Sequence, residues 1–207
     1  MIKALTELKE QAEKNFAELE TPAFNYGKGF SLNLDIDWKK VFAEIKNTEN
    51  TVITADLKVK ICKLSEMDEP FISKYAQKLI SPAENKLLVL HFAAVPDAKV
   101  MVIPKNTAIE NPIIIEAKAT AIASAESIII VAEEGAQATI IEKATSSNDA
   151  YYKSQVVQVY VHPKAKITYC TVHNETAGMH LFTTKRAEVL QDANINWIDF
   201  VIGEGFT

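Results

Sequence analysis

The sequence predicts a mainly β protein in which a parallel β-helix follows an N-terminal α/β capping segment. Between Leu87 and Ile202, alternating apolar runs flank four alanines that we interpret as tight corners: Ala98, Ala136, Ala165 and Ala193. A period of two on both sides of a corner is typical of two half-buried strands. Ala136, Ala165 and Ala193 stand 29 and 28 residues apart. This near-constant spacing indicates a solenoid whose equivalent side chains stack from coil to coil.

Aligning the four corners places apolar residues in columns. The columns two and four residues after each alanine, then four and six residues before it, are Val100, Ala138, Ile167 and Ile195; Val102, Ile140, Tyr169 and Trp197; Ala94, Ala132, Val161 and Val189; and Phe92, Ile130, Val159 and Ala187. Ala98 and Ala136 are 38 residues apart. We therefore expect an insertion of about ten residues at 104–112, followed by a strand at 113–116.

Residues 1–85 are predicted to be the capping segment and residues 86–207 the β-helix. An amphipathic helix is predicted over residues 3–19, where apolar residues recur at steps of three and four: Leu5, Leu8, Ala12, Phe16 and Leu19. The pattern then predicts an extended stretch at 24–34, a helix at 38–46 capped by Asp37, strands at 52–55 and 57–62, and a helix at 71–79 preceded by a Ser65–Asp68 capping box. Such a segment would cover the first coil.

The far end of the β-helix has no comparable cover in the sequence. The chain stops at Thr207, directly after the last predicted strand. A solenoid end without a cap exposes apolar side chains. We expect either dimerisation through this end or, as our preferred interpretation, a β-helix truncated at its C-terminal end because the chain is a fragment.

Composition excludes several partners and points to one compartment. The net charge is −5 and no cluster of lysine and arginine stands out, which argues against nucleic acid and anionic membranes as partners. No apolar run approaches the roughly 20 residues of a membrane span. The two cysteines, Cys62 and Cys170, are far apart without a CxxC pattern, so a disulfide framework is not expected. We expect a cytoplasmic protein.

One pattern could bind a metal ion. Cys170, His173 and His180 read as C-x2-H-x6-H, and iron or zinc sites use thiolate and imidazole ligands. However, Cys170 also falls in a predicted column with Ile103, Ile141 and Ile198, where a cysteine serves as a small apolar residue. We favour this packing role. The two histidines are expected to be exposed or hydrogen-bonded to neighbouring coils.

Other reactive residue types have plainer interpretations. Cys62 stands between Lys60 and Lys63, which could lower its pKa, but a lone strand cysteine is more often structural. Glu133–Glu134 at a corner and Lys185–Arg186 in a strand are predicted to be solvated charges. No catalytic or cofactor-binding residue is predicted.

Four stretches carry a resemblance to a known family. They are FNYGKGFSLNLDID, NKLLVLHFAAVPDAKVMVIPKN, IIIVAEEGAQATIIE and YxxVHNETAGMHxFTTKRAEVLQDANINW. They resemble the SufB/SufD scaffold proteins of SUF-system iron–sulfur cluster assembly, over the N-terminal and early β-helical part of that family's length. With few cysteines, the chain is more similar to the SufD-like member than to the SufB-like member.

This resemblance implies a right-handed parallel β-helix and a non-enzymatic scaffold. It implies a complex with a paralogous SufB/SufD-type protein and with the SufC-type ATPase, whose docking region in the family lies in a C-terminal part that this sequence lacks. It implies a transient iron–sulfur cluster at the level of the complex, with no cofactor bound by this chain. No functional residue is carried over from the family.

Three alternative functions make different demands on the sequence. A polysaccharide-active β-helical enzyme needs carboxylates clustered on an exposed face, and no such cluster is apparent. A left-handed hexapeptide acyltransferase needs a six-residue repeat, which is absent. A structural, oligomerising β-helix without cluster chemistry predicts the same features as the scaffold and stays open.

Overall fold

The computed structural model describes residues 24–25, 31–32, 36–47, 51–76, 78–81, 84–95 and 97–203. Within them lie the helices α1 (Trp38–Glu44), α2 (Glu69–Tyr75) and α3 (Lys86–Ala94). The strands are β1 (Phe24–Asn25), β2 (Ser31–Leu32), β3 (Ile45–Asn47), β4 (Thr51–Thr54), β5 (Lys60–Lys63), β6 (Lys99–Ile103), β7 (Ile113–Ala119), β8 (Ala123–Ala132), β9 (Gln137–Ser146), β10 (Tyr152–Val161), β11 (Lys166–Asn174), β12 (His180–Val189) and β13 (Asn194–Val201). The helix predicted at residues 3–19 lies outside the described residues.

The fold is a β-solenoid of four coils, which confirms the predicted fold class. Each coil gives one strand to each of two sheets. Sheet I has the strand order β5–β6–β8–β10–β12, and sheet II has the order β4–β7–β9–β11–β13. From β6 and β7 onwards, neighbouring strands within each sheet are parallel. Ile, Val and Ala side chains from both sheets fill the lumen between them.

The predicted columns are confirmed in the second, third and fourth coils. Ile140, Tyr169 and Trp197 are register partners across β9, β11 and β13, and Ile130, Val159 and Ala187 are partners across β8, β10 and β12. Ala136 and Ala165 are fully buried beside the corners. The sequence period is therefore the true coil period here.

The first coil differs from the prediction. Phe92 and Ala94 lie in α3, so the expected strand before Ala98 is a helix. Ile103 pairs with Ala132, which places the first corner at Asn106–Thr107 rather than at Ala98. The spacing from Thr107 to Ala136 is 29 residues, so the predicted ten-residue insertion is wrong. Two extra residues remain after the corner, because Ala108 pairs with Gln137 whereas Ile113 pairs with Ile140. The prediction of a corner at Ala98 was wrong because the first corner carries Thr107 where the later corners carry alanine.

The four corners share a left-handed backbone residue. Asn106, Gly135, Lys164 and Asp192 have φ between 54° and 70°. The amide of Asn106 donates to the Glu134 carbonyl, and the amides of Gly135 and Lys164 donate to the next corner in the same way. Few residue types adopt this conformation without strain. The corners thus stack as a hydrogen-bonded ladder along the solenoid.

Two strands of the segment before the β-helix pair with the two strands of the first coil. β5 is antiparallel to β6 in sheet I, and β4 is antiparallel to β7 in sheet II. Asp37 accepts a hydrogen bond from the Lys40 amide at 3.0 Å, which confirms it as the N-cap of α1. In α2 the cap is Asp68, whose carboxylate accepts from the Phe71 amide at 2.9 Å. This helix ends at Tyr75, four residues before the predicted end.

The described helices pack on the outer face of sheet I. Leu88 and Phe92 of α3 pack on Val156, and Leu90 packs on Ala123 and Tyr152. Tyr75 at the end of α2 packs on Tyr160 at a centroid distance of 4.8 Å. As a result, every residue of β8 and β10 is buried. None of the described helices is long and apolar enough to cross a membrane.

Candidate functional site: a polar cluster in the lumen

The lumen has an aliphatic half beside the corners and a polar half farther along the strands. Alternation along β8 and β10 turns Ile128, Ile130, Val157 and Val159 inward, and the same alternation turns inward the residues two and four positions earlier. The polar half, which we call the lumen cluster, comprises Glu126, Glu142, Lys153, Gln155, Tyr169, Thr171, His173, Glu175, Lys185 and Asp199.

Glu142 is the centre of the lumen cluster and is fully buried. Its Oε1 accepts a hydrogen bond from Gln155 Nε2 at 2.5 Å, and its Oε2 accepts one from the Tyr169 hydroxyl at 2.9 Å. Lys185 Nζ lies 3.9 Å from the same Oε2. Gln155 and Lys185 come from sheet I and Glu142 from sheet II, so these contacts cross the lumen and join the two sheets.

Lys185 links this carboxylate to the last coil. Its ammonium donates to the Thr171 hydroxyl and, at 2.9 Å, to Asp199 Oδ1. Burial by itself would raise the pKa of Asp199, but the hydrogen bonds from Lys185 and Thr171 and the nearby positive charge outweigh it and lower that pKa. Burial, followed by the negative charge of Glu142, raises the pKa of Tyr169 well above its usual value. Tyr169 is therefore a neutral hydrogen-bond donor at physiological pH.

A second ion pair lies deeper among the coils. Lys153 Nζ is 3.3 Å from Glu126 Oε2, and both side chains are only 6% exposed. The contact is an ion pair without hydrogen-bond geometry, because neither oxygen of Glu126 has a hydrogen-bond partner among the described residues. The buried hydroxyls of Ser124 and Thr183 share this property. Polar atoms buried in this way are the usual places where proteins hold ordered water or ions.

His173 and Glu175 close the polar half at the end of β11. His173 is 3% exposed, and its Nδ1 lies 3.3 Å from Glu175 Oε1, while its Nε2 lies 3.9 Å from Asp199 Oδ1. Glu175 is 4% exposed and lines an open cleft with Lys118, Ser146 and Asn174. The lumen cluster therefore reaches the surface at this point.

The structure does not bring the three candidate metal ligands together. Cys170 faces outward on β11, where Ile141 and Ile198 are its register partners, as the column predicted. The column was wrong for Ile103, which lies in β6 of sheet I. It is half-buried on the outside rather than enclosed in the core. His173 faces the lumen, and His180 begins β12 with its ring 5.1 Å from that of Tyr151. Among the described residues, no group of three or more His, Cys, Asp or Glu is arranged to hold a metal ion.

The lumen cluster was missed by sequence reasoning, and one interpretation was wrong. Lys185 was predicted to be solvated, but its side chain is 12% exposed and paired inside. One signal in the sequence could have identified Glu142 and Lys185 as inward-facing residues. Each is two residues from a predicted core residue on the same strand, Ile140 and Ala187. Alternation assigns such positions to the inside even when the residue is charged.

The charged groups of the lumen cluster pair with one another. Glu142, Lys185 and Asp199 satisfy one another, and Tyr169 is held neutral. A general acid or base must reach a substrate proton, whereas Glu142 and Lys185 are buried in the lumen and Asp199, which is 48% exposed, is held by Lys185. The geometry suits a rigid internal tie between the sheets.

Comparison with known proteins agrees with this architecture. Residues 113–207, which run from the start of β7 to the end of the chain, match the family model described as SUF system FeS cluster assembly, SufBD core domain. An iron–sulfur cluster assembly SufBD family protein of Staphylococcus aureus (strain MRSA252) is 28% identical over 148 residues, which cover 70% of this chain and 32% of the relative.

A second relative is an iron–sulfur cluster assembly SufBD family protein of Staphylococcus saprophyticus. It is 26% identical over 144 residues, which cover 68% of this chain and 31% of the relative. The chain thus spans about a third of the length of the curated relatives it matches. These matches show that the chain is similar to SufBD-family proteins of SUF-system iron–sulfur cluster assembly.

Proposed function

We propose that this chain acts as a non-catalytic scaffold subunit in iron–sulfur cluster assembly. In this proposal it works in a cytoplasmic complex with a paralogous β-helix protein and an ABC-type ATPase. The observation that carries the proposal is the match of residues 113–207 to the SufBD core domain. That range contains seven of the eight coil strands, so the similarity lies in the solenoid itself.

A scaffold role also suits the distribution of reactive groups. The buried charged groups of the lumen cluster have partners, as Glu142 does in Gln155 and Tyr169. The two thiols lie in different sheets, Cys62 in β5 of sheet I and Cys170 in β11 of sheet II. Binding a cluster takes several thiolates or histidines. We therefore propose that a cluster forms transiently on the complex, and that this chain is closer to the SufD-like member.

Co-purification tests this proposal. The tagged full chain would be expressed together with a SufB-type paralogue and the ABC-type ATPase from the same genome, purified through its tag and passed over a size-exclusion column. We expect the paralogue and the ATPase to co-elute with it, and the complex to contain iron and acid-labile sulfide after expression under iron-replete conditions.

Two outcomes would count against the scaffold. Elution of the chain alone, with both partners expressed and soluble, contradicts a role in this complex. Elution as a homo-oligomer without iron or sulfide would favour the structural β-helix instead. The matched control is the same tag on an unrelated β-helix, which should retain neither partner.

A further inference from the structure

Four buried oxygen atoms on the inner face of sheet I have no hydrogen-bond partner among the described residues. They are Ser124 Oγ, Oε1 and Oε2 of Glu126, and Thr183 Oγ1. Alternation turns these side chains into the lumen, as it does Ile128 on β8 and Ala187 on β12. We call Ser124, Glu126 and Thr183 the β8–β12 patch. Buried polar groups in native proteins are nearly always paired, so the patch implies a bound partner.

The register of sheet I brings the members of the β8–β12 patch close together. Glu126 and Thr183 are both register partners of Gln155, one on each side of it, and Ser124 is the register partner of Lys153. From the dimensions of a sheet, the Cα atom of Glu126 lies about 7 Å from that of Ser124 and about 10 Å from that of Thr183. Two hydrogen bonds through one water join polar atoms about 5.5 Å apart. One or two waters therefore suffice to connect three side chains at these spacings.

The opposite wall of the lumen carries small side chains at this level. Ser124 and Ala144 lie at about the same distance from the corner that joins β8 to β9. Ala144 and its register partner Ala117 are buried on the lumen side of sheet II. Closer to the corner the same two strands present Ile113 and Ile140 instead. Since alanine fills much less space than isoleucine, the polar half of the lumen has both the room and the polar groups that a buried water needs.

Charge favours a neutral ligand at the β8–β12 patch. Lys153 Nζ lies 3.3 Å from Glu126 Oε2, so this carboxylate already has its counter-charge. A further cation would be repelled by the ammonium and an anion by the carboxylate, and both repulsions are strong where water is excluded. The hydroxyls of Ser124 and Thr183 each donate and accept hydrogen bonds, and the carboxylate accepts several. A water molecule, which also donates and accepts, matches this set of groups.

We propose that the polar half of the lumen binds ordered water at the β8–β12 patch. The water donates to the carboxylate of Glu126 and exchanges hydrogen bonds with the hydroxyls of Ser124 and Thr183. It thereby supplies the additional hydrogen bonds that a buried ion pair needs besides its counter-charge. The aliphatic half of the lumen stays dry, because apolar walls offer a water no partners. The proposal does not depend on the function of the chain in cluster assembly.

The sign of a change in stability tests the proposal. Thr183→Val replaces the hydroxyl by a methyl group. With water bound, this variant loses a hydrogen bond and its midpoint of urea unfolding falls, whereas a dry site loses an unpaired buried hydroxyl and becomes more stable. The matched control is Thr168→Val on the outer face of β11, which reports the general preference of strands for valine. We expect the midpoint of Thr183→Val to lie below that of Thr168→Val.

Magnetic relaxation dispersion of oxygen-17 water detects the bound water directly. It would be measured on the full chain and on the Ser124→Ala, Thr183→Val double variant, which lacks both hydroxyls of the β8–β12 patch. We expect the dispersion amplitude of the double variant to fall by about one long-lived water per chain. Thr168→Val should keep the amplitude of the parent. Circular dichroism of each variant establishes that the β-helix remains folded.

Three results would overturn the proposal. The first is a urea midpoint of Thr183→Val at or above that of Thr168→Val, which indicates a dry site. The second is an equal dispersion amplitude in the parent and in the double variant. The third is an anomalous scattering peak beside Glu126 in crystals of the full chain soaked in a thallium(I) salt, because that shows a bound monovalent cation in place of water.

Discussion

The inner and outer faces of β8 and β10 are equally buried but carry different chemistry. On the lumen side, the polar half is charged, with Glu126 and Lys153 on these strands. On the helix side, the polar groups are neutral. His91 of α3 lies between two hydroxyls, with Nε2 2.8 Å from Ser127 Oγ and Nδ1 3.0 Å from Ser154 Oγ. One strand pair therefore supports two different kinds of buried polar contact.

The lumen holds buried charges and the helix interface holds a neutral imidazole because opposed coils and a packed helix offer different partners. A buried charge is tolerated only when a counter-charge and further hydrogen bonds meet it. Opposed coils stack side chains in a fixed register, so Lys185 can meet both Glu142 and Asp199. A helix lying on a sheet offers few such matched positions. A neutral imidazole needs only one donor and one acceptor, which Ser127 and Ser154 can supply.

The largest expected loss of stability comes from removing the charge of Lys185 from the lumen cluster. Lys185→Met leaves the fully buried Glu142 and the half-exposed Asp199 without their shared ammonium. Because Glu142 is buried, removing its charged partner costs about 3–5 kcal/mol. Urea unfolding followed by circular dichroism measures this loss. The control is Lys143→Met, since Lys143 pairs with Glu116 at 4.0 Å on the surface and is 55% exposed. Similar losses in the two variants would show that the lumen pairing is unimportant.

The buried neutral imidazole of His91 should make the stability of the protein depend on pH. Burial lowers the pKa of His91 to about 3, whereas the unfolded chain titrates near about 6.5. The unfolded state therefore takes up a proton that the folded state does not, and stability is lost as pH falls below 6.5. We expect a loss of about 2 kcal/mol between pH 7.5 and pH 5 from this group alone.

His91→Gln should remove this dependence while keeping a polar group between the serines. The variant should be less stable than the wild type at pH 7.5 and should lose less stability on going to pH 5. Urea unfolding at both pH values gives the comparison. His162, whose pKa burial also lowers, is present in both proteins and does not account for a difference. Parallel losses would assign the acid sensitivity to other groups.

An effect of similar size isolates one hydrogen bond of the lumen cluster. Tyr169→Phe removes the hydroxyl that donates to Glu142 Oε2 at 2.9 Å, and a buried hydrogen bond to a charged group contributes about 1.5–3 kcal/mol. In a Glu142→Gln background the same substitution should cost less, because the acceptor is then neutral. A double-mutant cycle in urea measures the coupling. A coupling of zero would mean that the two groups act independently.

The smallest effect concerns the segment at residues 78–81, which Arg186 of sheet I holds through the Leu79 carbonyl. Arg186 on β12 donates to both oxygens of Glu84, at 2.6 and 2.5 Å, and to the Leu79 carbonyl at 2.8 Å. This contact is on the surface, where ion pairs add little to global stability. We expect Arg186→Ala to raise amide hydrogen exchange at residues 78–81 without shifting the urea midpoint. A shift as large as that of Lys185→Met would show that residues 78–81 unfold together with the core.

The repeating pattern alone predicted the solenoid, because period-two alternation and a 28 to 29 residue spacing are local properties of the chain. It placed Trp197 and Tyr169 in their column and identified Asp37 as an N-cap. It failed at Ala98, because apolar residues at 87–94 suit a buried helix as well as a strand, and only contact with sheet I decides between them.

The lumen cluster and the position of Cys170 were decided by tertiary structure. Alternation sorts residues onto two faces, but it does not say which face is enclosed by a second sheet. Lys185 is inside because Glu142 and Asp199 arrive opposite it from strands more than ten residues away in sequence, and Cys170 is outside because Tyr169 beside it fills the lumen. The pattern of apolar residues thus determines the coil, while the pairing of charges inside it depends on how the two sheets meet.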